Sequence, residues 1–261
     1  MGEKDFVKFL GTAGARFVVA RQLRYSAGTF LRLRGKSIML DPGPGTLVRA
    51  AASKPKIDVT KLDAVIVTHV HLDHSNDLNI LVDAMTAGGL ETKGVVFATK
   101  ECLEGTDKVL LNYLRGFPKE IVTLKERSDY EMDGVRFSTS VRHLHPAETY
   151  GVRFHRKPGY LSFLVDTAYS DNLAESYKGS DVLVLNVVRR EPHRDPAVMH
   201  LSLEEAERLI AAIKPRKAVM THFGMTMLQA KPWELAQEMT QRLGLEVLAA
   251  SDGMTLELED G

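Results

Sequence analysis

The clearest clue to the architecture is the heptapeptide Thr68-His-Val-His-Leu-Asp-His74, which carries four candidate metal ligands: His69, His71, Asp73 and His74. It directly follows the apolar run Ala64-Val-Ile-Val67, so the ligands lie where a buried strand gives way to a loop. Imidazole and carboxylate groups bind zinc, iron, manganese or nickel. A structural zinc site usually contains several cysteines, whereas this chain has only Cys102. The heptapeptide therefore predicts a metal site at the end of a strand.

The overall composition is that of an ordinary globular chain. The 261 residues are 44% hydrophobic and 26% charged, and 34 Lys and Arg residues balance 34 Asp and Glu residues. The length and composition predict one domain over residues 1–261. A protein that holds a long nucleic acid usually needs a basic face, so zero net charge makes such a partner unexpected. We expect a small-molecule substrate instead, and a homodimer is compatible with the sequence.

Hydropathy indicates neither a targeting segment nor a membrane segment. The opening residues Met-Gly-Glu-Lys-Asp lead directly into residues 6–10 without an apolar stretch of signal-peptide length. No later apolar run reaches the length needed to span a bilayer. We therefore expect a cytoplasmic protein without a membrane partner.

Short apolar segments separated by turn residues predict many β-strands. They cover residues 7–11, 29–34, 37–41, 64–68 and 95–99, a meander through 130–143 and 149–166, a buried strand at 218–220 and a last hairpin around 251–253. Hairpin turns are indicated at Met132-Asp-Gly134 and Lys157-Pro-Gly159.

Helical periodicity lies between these strands. Ser75 is predicted to cap a helix whose buried face is formed by Leu78, Leu81, Val82 and Met85. Ser202 and Glu205 match a capping box, and the helix that follows ends at Lys214-Pro215. A third helix is predicted at about 232–243. The combined pattern predicts two sheets packed face to face, with helices outside.

Three further candidate ligands follow predicted strands elsewhere in the chain: His145, Asp166 and His222. Each of them alone has an ordinary structural explanation, because Asp is common in turns and a single His often lies in a core or on a surface. Their shared position at strand ends predicts that they join the heptapeptide in a site for two metals. His143, two residues before His145, is an alternative to it as a metal ligand.

In the order of these motifs the chain resembles the metallo-β-lactamase superfamily over nearly its whole length. The resemblance rests on Phe9-Leu-Gly-Thr12, Leu40-Asp-Pro-Gly-Pro-Gly45, the heptapeptide, His145, Asp166 and Thr221-His222. The chain is most similar to the ribonuclease Z-related phosphodiesterase branch, because of its Phe-Leu-Gly-Thr opening and a further histidine, His200, before the capped helix. The fold that this implies is α/β (α+β), a four-layer αββα sandwich with metals at one edge between the sheets.

The resemblance also implies a role for each candidate ligand. One metal would be held by His69, His71 and His145, and the other by Asp73, His74 and His222. Asp166 would bridge the two, and Asp41 would orient a ligand through hydrogen bonds. His145 is preferred to His143 because its spacing to Tyr150-Gly151 follows the family pattern. The metals are expected to be zinc, with manganese or iron as alternatives.

The length of one segment argues against transfer RNA as the substrate. Ribonuclease Z carries a long arm that grips transfer RNA, typically between the positions of His145 and Asp166, and only residues 146–165 separate these two here. We therefore predict a metal-dependent phosphodiesterase for a small diester, in which metal-activated water attacks phosphorus and Asp73 and His200 act in catalysis. The alternatives are a lactone, thioester or β-lactam hydrolase with the same metals, and a non-catalytic protein that binds a metal or nucleotide.

Overall fold

Two seven-stranded β-sheets form the middle of the structure, a computed structural model that describes residues 4–26, 28–195 and 197–259. In chain order the strands of these described residues are β1 (Phe6–Phe9), β2 (Thr29–Leu33), β3 (Lys36–Leu40), β4 (Ala64–Val67), β5 (Val95–Thr99), β6 (Glu120–Leu124), β7 (Asp129–Met132), β8 (Val135–Arg142), β9 (Tyr150–His155), β10 (Tyr160–Leu164), β11 (Ser180–Asn186), β12 (Lys217–Thr221), β13 (Glu246–Ala249) and β14 (Thr255–Glu257).

Each sheet is antiparallel in one part and parallel in the other. The first sheet has the order β14-β1-β2-β3-β4-β5-β6, and its strands from β3 to β6 are parallel. The second has the order β13-β12-β11-β10-β9-β8-β7, and its strands from β10 to β13 are parallel. Because parallel strands all end at the same edge, the polar residues that follow β3, β4, β10, β11 and β12 can meet there.

The α-helices cover the outer faces of the sheets. In chain order those in the described part of the chain are α1 (Ala15–Ala20), α2 (Thr46–Ala52), α3 (Leu72–Ser75), α4 (Leu78–Met85), α5 (Lys100–Glu104), α6 (Asn172–Ser176), α7 (Leu203–Ile213), α8 (Met225–Gln229) and α9 (Pro232–Leu243). Short 3-10 turns occur at Val59–Lys61 and Asn112–Leu114. None of the helices in the described ranges is both long and apolar enough to cross a membrane.

Three apolar clusters hold the four layers together. One lies between the sheets and joins residues such as Ile66 of β4 to Val152 of β9. A second packs the second sheet against α7 and α9, and a third packs the first sheet against α4. The αββα sandwich predicted from the sequence is therefore confirmed.

The predicted helix capped by Ser75 is wrong in its start. The chain instead forms two short helices, and α4 begins after Asp77. The Ser75 hydroxyl donates to the carbonyl oxygens of Val70 and His71, so it stabilises the loop of candidate ligands rather than α4. The buried face of α4 and the capping box of α7 are as predicted.

The predicted last hairpin around residues 251–253 is also wrong. β13 pairs with β12 in the second sheet, whereas β14 pairs with β1 in the first. The turn therefore carries the chain from one sheet to the other, and its Asp252 side chain accepts hydrogen bonds from Thr12. Strands β6 and β11 were not predicted, although each is a short apolar run between polar residues.

Candidate metal centre

All seven candidate ligands lie together at the edge where the parallel strands end. The heptapeptide follows β4, Asp166 follows β10, and His222 follows β12. His145 lies in the connection between β8 and β9. The topology thus brings residues from distant parts of the chain to one place between the two sheets.

The first group of ligands consists of His69, His71 and His145, whose ligand atoms lie within 4.8 Å of one another. His145 Nε2 is 3.0 Å from His71 Nδ1. Two atoms that each lie about 2.1 Å from one tetrahedral ion are about 3.4 Å apart, so this group has nearly the spacing of a zinc-like site.

The second group consists of Asp73, His74 and His222, which lie equally close together. His222 Nε2 is 3.5 Å from Asp73 Oδ2, and His74 Nε2 is 3.9 Å from the same oxygen. These separations are longer than a strong hydrogen bond and match the spacing of ligand atoms around a shared ion.

Asp166 lies between the two groups and is almost fully buried. Its Oδ2 is 3.9 Å from His69 Nε2 in the first group and 3.5 Å from His74 Nε2 in the second. Its Oδ1 is 3.3 Å from His222 Nε2 and accepts a hydrogen bond of 2.8 Å from the Asn186 side chain. One carboxylate therefore faces both groups of histidines.

Four buried imidazole nitrogens in the described residues lack a hydrogen-bond partner: Nε2 of His69, Nε2 of His74, Nε2 of His222 and Nδ1 of His200. Leaving a buried polar atom unpaired costs about 1–3 kcal/mol, so such atoms are rarely found without a reason. All four point toward the Asp166 carboxylate, with separations of 3.3 to 3.9 Å. The donor set and its orphaned nitrogens fit divalent metal ions.

Hydrogen bonds on the far side of the rings set which nitrogen is free. The Thr68 hydroxyl donates to Asp41 Oδ2, so its oxygen can only accept the proton of His69 Nδ1, 3.1 Å away. His74 Nδ1 lies 3.0 Å from Asp41 Oδ2, and His145 Nδ1 lies 3.2 Å from the Met199 carbonyl oxygen. In each ring Nδ1 is the donor, which leaves the lone pair on Nε2 directed into the site.

The electrostatics of the buried groups agree with a cation site. Burial lowers the pKa of His69 well below its usual value and that of His145 to about 4, so both rings are neutral and can bind metal near pH 7. Burial opposes the ionisation of Asp166, but His222 and His74 outweigh it and hold the pKa of this carboxyl well below its usual range. Burial likewise lowers the pKa of His74, yet Asp73 and Asp166 raise it well above normal. The carboxylates thus favour positive charge here.

His143 lies outside this cluster, although the sequence made it an alternative to His145. Its Nδ1 is 3.2 Å from the Asp166 carbonyl oxygen, and its Nε2 is 2.9 Å from the Tyr177 hydroxyl. Both of its nitrogens are therefore occupied by the protein. Burial lowers the pKa of His143 to about 4, so the ring is neutral near pH 7.

The backbone around the site is tightly constrained. Asp41 and His222 adopt left-handed φ angles of 48° and 60°, which non-glycine residues rarely do. A Cβ at Gly14 would overlap the carbonyl oxygen of His222, so only glycine allows the chain to pass this close. A Cβ at Gly43 would overlap the Asp73 carbonyl oxygen in the same way.

Sequence reasoning missed four supporting groups: Thr68, Asn186, Tyr177 and the Met199 carbonyl. Asn186 could have been found, because it ends the apolar run of β11 just as Thr221 ends β12. Nothing in the sequence alone indicates that a backbone carbonyl 54 residues away orients His145.

The chain belongs to the family of beta-lactamase superfamily domains, whose model matches residues 36–223. An uncharacterized protein of Methanocaldococcus jannaschii, MJ1374, is 28% identical over 262 residues, covering 97% of this chain and 95% of that protein. A ribonuclease Z of Mycolicibacterium paratuberculosis is 27% identical over 254 residues, covering 85% and 89%.

Solved structures show the same fold. The metallo-beta-lactamase fold protein YhfI of Bacillus subtilis has a TM-score of 0.79 at 20% identity and covers 98% of this chain and 100% of its own. A diphosphatase from the PhnP family has a TM-score of 0.73 at 22% identity and covers 98% of each chain. The resemblance to the ribonuclease Z-related branch is thus confirmed as one of family and fold.

Proposed function

We propose that this protein is a hydrolase that cleaves small phosphodiesters with the help of two divalent metal ions. We expect both ions to be zinc. The observation that carries the proposal is the convergence of unpaired, buried histidine nitrogens on one carboxylate. Two relatives are named ribonuclease Z, and a ribonuclease cleaves the phosphodiester bonds of RNA. This similarity favours phosphorus over carbon as the atom that is attacked.

Each ligand has a place in this proposal. His69, His71 and His145 would hold one ion; Asp73, His74 and His222 would hold the other; Asp166 faces both. Bound ions of this kind lower the pKa of water toward neutrality and polarise a phosphoryl oxygen. Asp41 and Thr68 would hold two of the rings in orientation through the hydrogen bonds described above.

Asp73 and His200 are the groups placed to act on the substrate. A surface cleft is lined by both residues, and the Asp73 side chain is 23% exposed, so it can accept a hydrogen bond from the attacking water as well as bind metal. His200 Nδ1 lies 3.7 Å from Asp166 Oδ2, and its ring lines the same cleft. Burial lowers the pKa of His200, so the ring is neutral and acts as a hydrogen-bond donor to a phosphoryl oxygen rather than as a strong acid.

The segment between His145 and Asp166 supports a small substrate. β9 and β10 form a hairpin that pairs from Val152 with Phe163 to His155 with Tyr160. These strands are interior members of the second sheet, so nothing in this segment projects as an arm. A grip on transfer RNA of the ribonuclease Z kind would have to come from elsewhere.

The test is a substrate panel on metal-loaded and chelator-treated protein. Bis-p-nitrophenyl phosphate and a cyclic nucleotide should be hydrolysed only by the metal-loaded form, and faster than a lactone, a thioester, a β-lactam or precursor transfer RNA. Preferred hydrolysis of a carbonyl substrate would overturn the phosphodiesterase assignment and keep the metal centre. Metal binding without any turnover would favour a non-catalytic metal- or nucleotide-binding protein.

A further inference from the structure

A cleft of about 500 Å³ opens above the metal centre. Its floor is formed by candidate metal-site residues, among them His71, Asp166 and His200. This volume suits a small organic molecule. If the protein acts as proposed above, this cleft is the place for the part of the substrate beside the reacting group.

Two short helices form the walls of this cleft. Arg16, Val19 and Ala20 lie three and four positions apart on α1, so one face of that helix lines the cleft. Leu72 of α3, a residue that is 73% exposed, also lines the cleft. Together with Pro44, these residues offer an apolar surface at the mouth.

Arg16 is the only Lys or Arg among the described residues that line the cleft. It is exposed, and no hydrogen bond or ion pair engages its side chain within the described ranges. The Arg16 guanidinium is thus a free cation at the rim of a site whose floor carries the two carboxylates Asp73 and Asp166.

We propose that Arg16 binds a second anionic group of the substrate, distinct from the phosphodiester that reacts. This proposal rests on the proposed function and narrows its substrates to diesters that carry a second anionic group. The reacting phosphoryl group belongs on the buried floor, whereas Arg16 lies at the exposed rim, so the two anionic groups must be separated by part of the substrate. Guanidinium pairs well with phosphate or carboxylate. The substrate is a small diester with an apolar or aromatic arm that carries a further phosphate or carboxylate.

Two matched substrates test whether Arg16 binds a second anionic group. The p-nitrophenyl ester of thymidine 5′-phosphate is compared with the same ester that also carries a 3′-phosphate. The wild type should hydrolyse the 3′-phosphorylated ester with a kcat/KM about tenfold higher, mainly through a lower KM, since a charged hydrogen bond contributes about that factor. Arg16→Gln should reduce this ratio to about one. Arg21→Gln, an exposed arginine at the end of the same helix that does not line the cleft, should keep the preference.

A binding measurement separates this inference from the proposed function. Calorimetric titration with thymidine 3′,5′-diphosphate and thymidine 5′-phosphate should show about tenfold tighter binding of the diphosphate, lost in Arg16→Gln. If the binding preference holds but neither ester is hydrolysed, the phosphodiesterase proposal fails and the role of Arg16 stands. If both esters are hydrolysed with equal kcat/KM, or Arg16→Gln keeps the preference, the role of Arg16 is overturned.

The apolar wall has its own control. Leu72→Ser should weaken the binding of both nucleotides by the same factor, because the wall contacts the arm that they share. The preference for the nucleotide with the 3′-phosphate should persist. The exposed position of Leu72 makes loss of folding unexpected. Unchanged affinity for both nucleotides would contradict the placement of the arm against this wall.

Discussion

Two sets of buried histidines lie next to each other in this protein and differ in their hydrogen bonding. In the metal centre, His69, His74 and His222 each keep a buried nitrogen without a partner. Beside them, His143 uses both nitrogens, with Asp166 on one side and the fully buried Tyr177 on the other. An unpaired buried nitrogen destabilises the fold, so it persists only where it has another use. The partner, rather than burial, separates the candidate ligands from the structural histidine: His145 Nε2 faces only His71 Nδ1 of the same site, whereas His143 Nε2 faces the Tyr177 hydroxyl outside it.

The largest effect is expected from removing a ligand of the unpaired set. His69→Ala should abolish tight binding of at least one metal and lower turnover by roughly a thousandfold or more, because metal ions contribute several kcal/mol to such reactions. Elemental analysis of purified protein and rates on bis-p-nitrophenyl phosphate measure both effects. His193→Ala, at an exposed histidine outside the cluster, is the matched control. A His69→Ala protein with two metals and full turnover would remove the basis of the comparison.

His200 sharpens the comparison because its nitrogen is unpaired but it is not among the grouped ligand candidates. His200→Ala should keep near-normal metal content and lower turnover by roughly a hundredfold, the scale of losing one transition-state donor. His200→Gln keeps a donor and should recover part of the rate. Loss of metal in His200→Ala would make His200 a ligand, and full turnover would make it a bystander.

A change in the paired residues His143 and Tyr177 should lower the stability of the fold and leave the metal content unchanged. Tyr177→Phe removes the hydroxyl that lies 2.9 Å from His143 Nε2 and leaves that nitrogen unpaired. The free energy of unfolding should fall by about 1–3 kcal/mol, measured by denaturant titration, while both metals stay bound. Tyr113→Phe, at a tyrosine that is 67% exposed, should change it by less than about 0.5 kcal/mol. Metal loss in Tyr177→Phe would place His143 within the metal site.

Much of this contrast could be anticipated from local sequence patterns. Apolar runs followed by His or Asp marked the ends of β4, β10 and β12, and the capping box marked the start of α7. Chain order then indicated which strand ends meet. These features are visible in sequence because burial and capping depend on residues that are neighbours in the chain.

What escaped sequence reasoning depends on contacts between distant residues. The pairing of His143 with Tyr177, 34 residues away, is what separates it from His145, and no local pattern shows it. The final turn was misread because Asp252 in it bonds to Thr12 near the chain start, which places β14 beside β1. Ser75 was misread because its hydroxyl satisfies backbone carbonyls of the ligand loop.

Cys102 extends the comparison to another buried reactive group, whose sulfur accepts a hydrogen bond. Its side chain is buried, and the Thr99 hydroxyl donates to Sγ at 3.2 Å. Burial raises the pKa of the Cys102 thiol to about 12. At pH 8 the folded protein should react with Ellman's reagent roughly a thousandfold more slowly than the unfolded chain, whose thiol has a pKa of about 8.5.

The same shift sets the sign of a pH dependence of stability. Because the thiol binds its proton more tightly in the folded state, its contribution to stability is complete below about pH 8.5 and declines as pH rises toward 12. Cys102→Ser, compared with wild type by denaturant titration at pH 7 and pH 10, should therefore lose less stability between the two pH values. Rapid labelling of the folded protein at pH 8 would show that burial alone does not make this thiol inert, and would weaken the inference that paired buried groups here are structural.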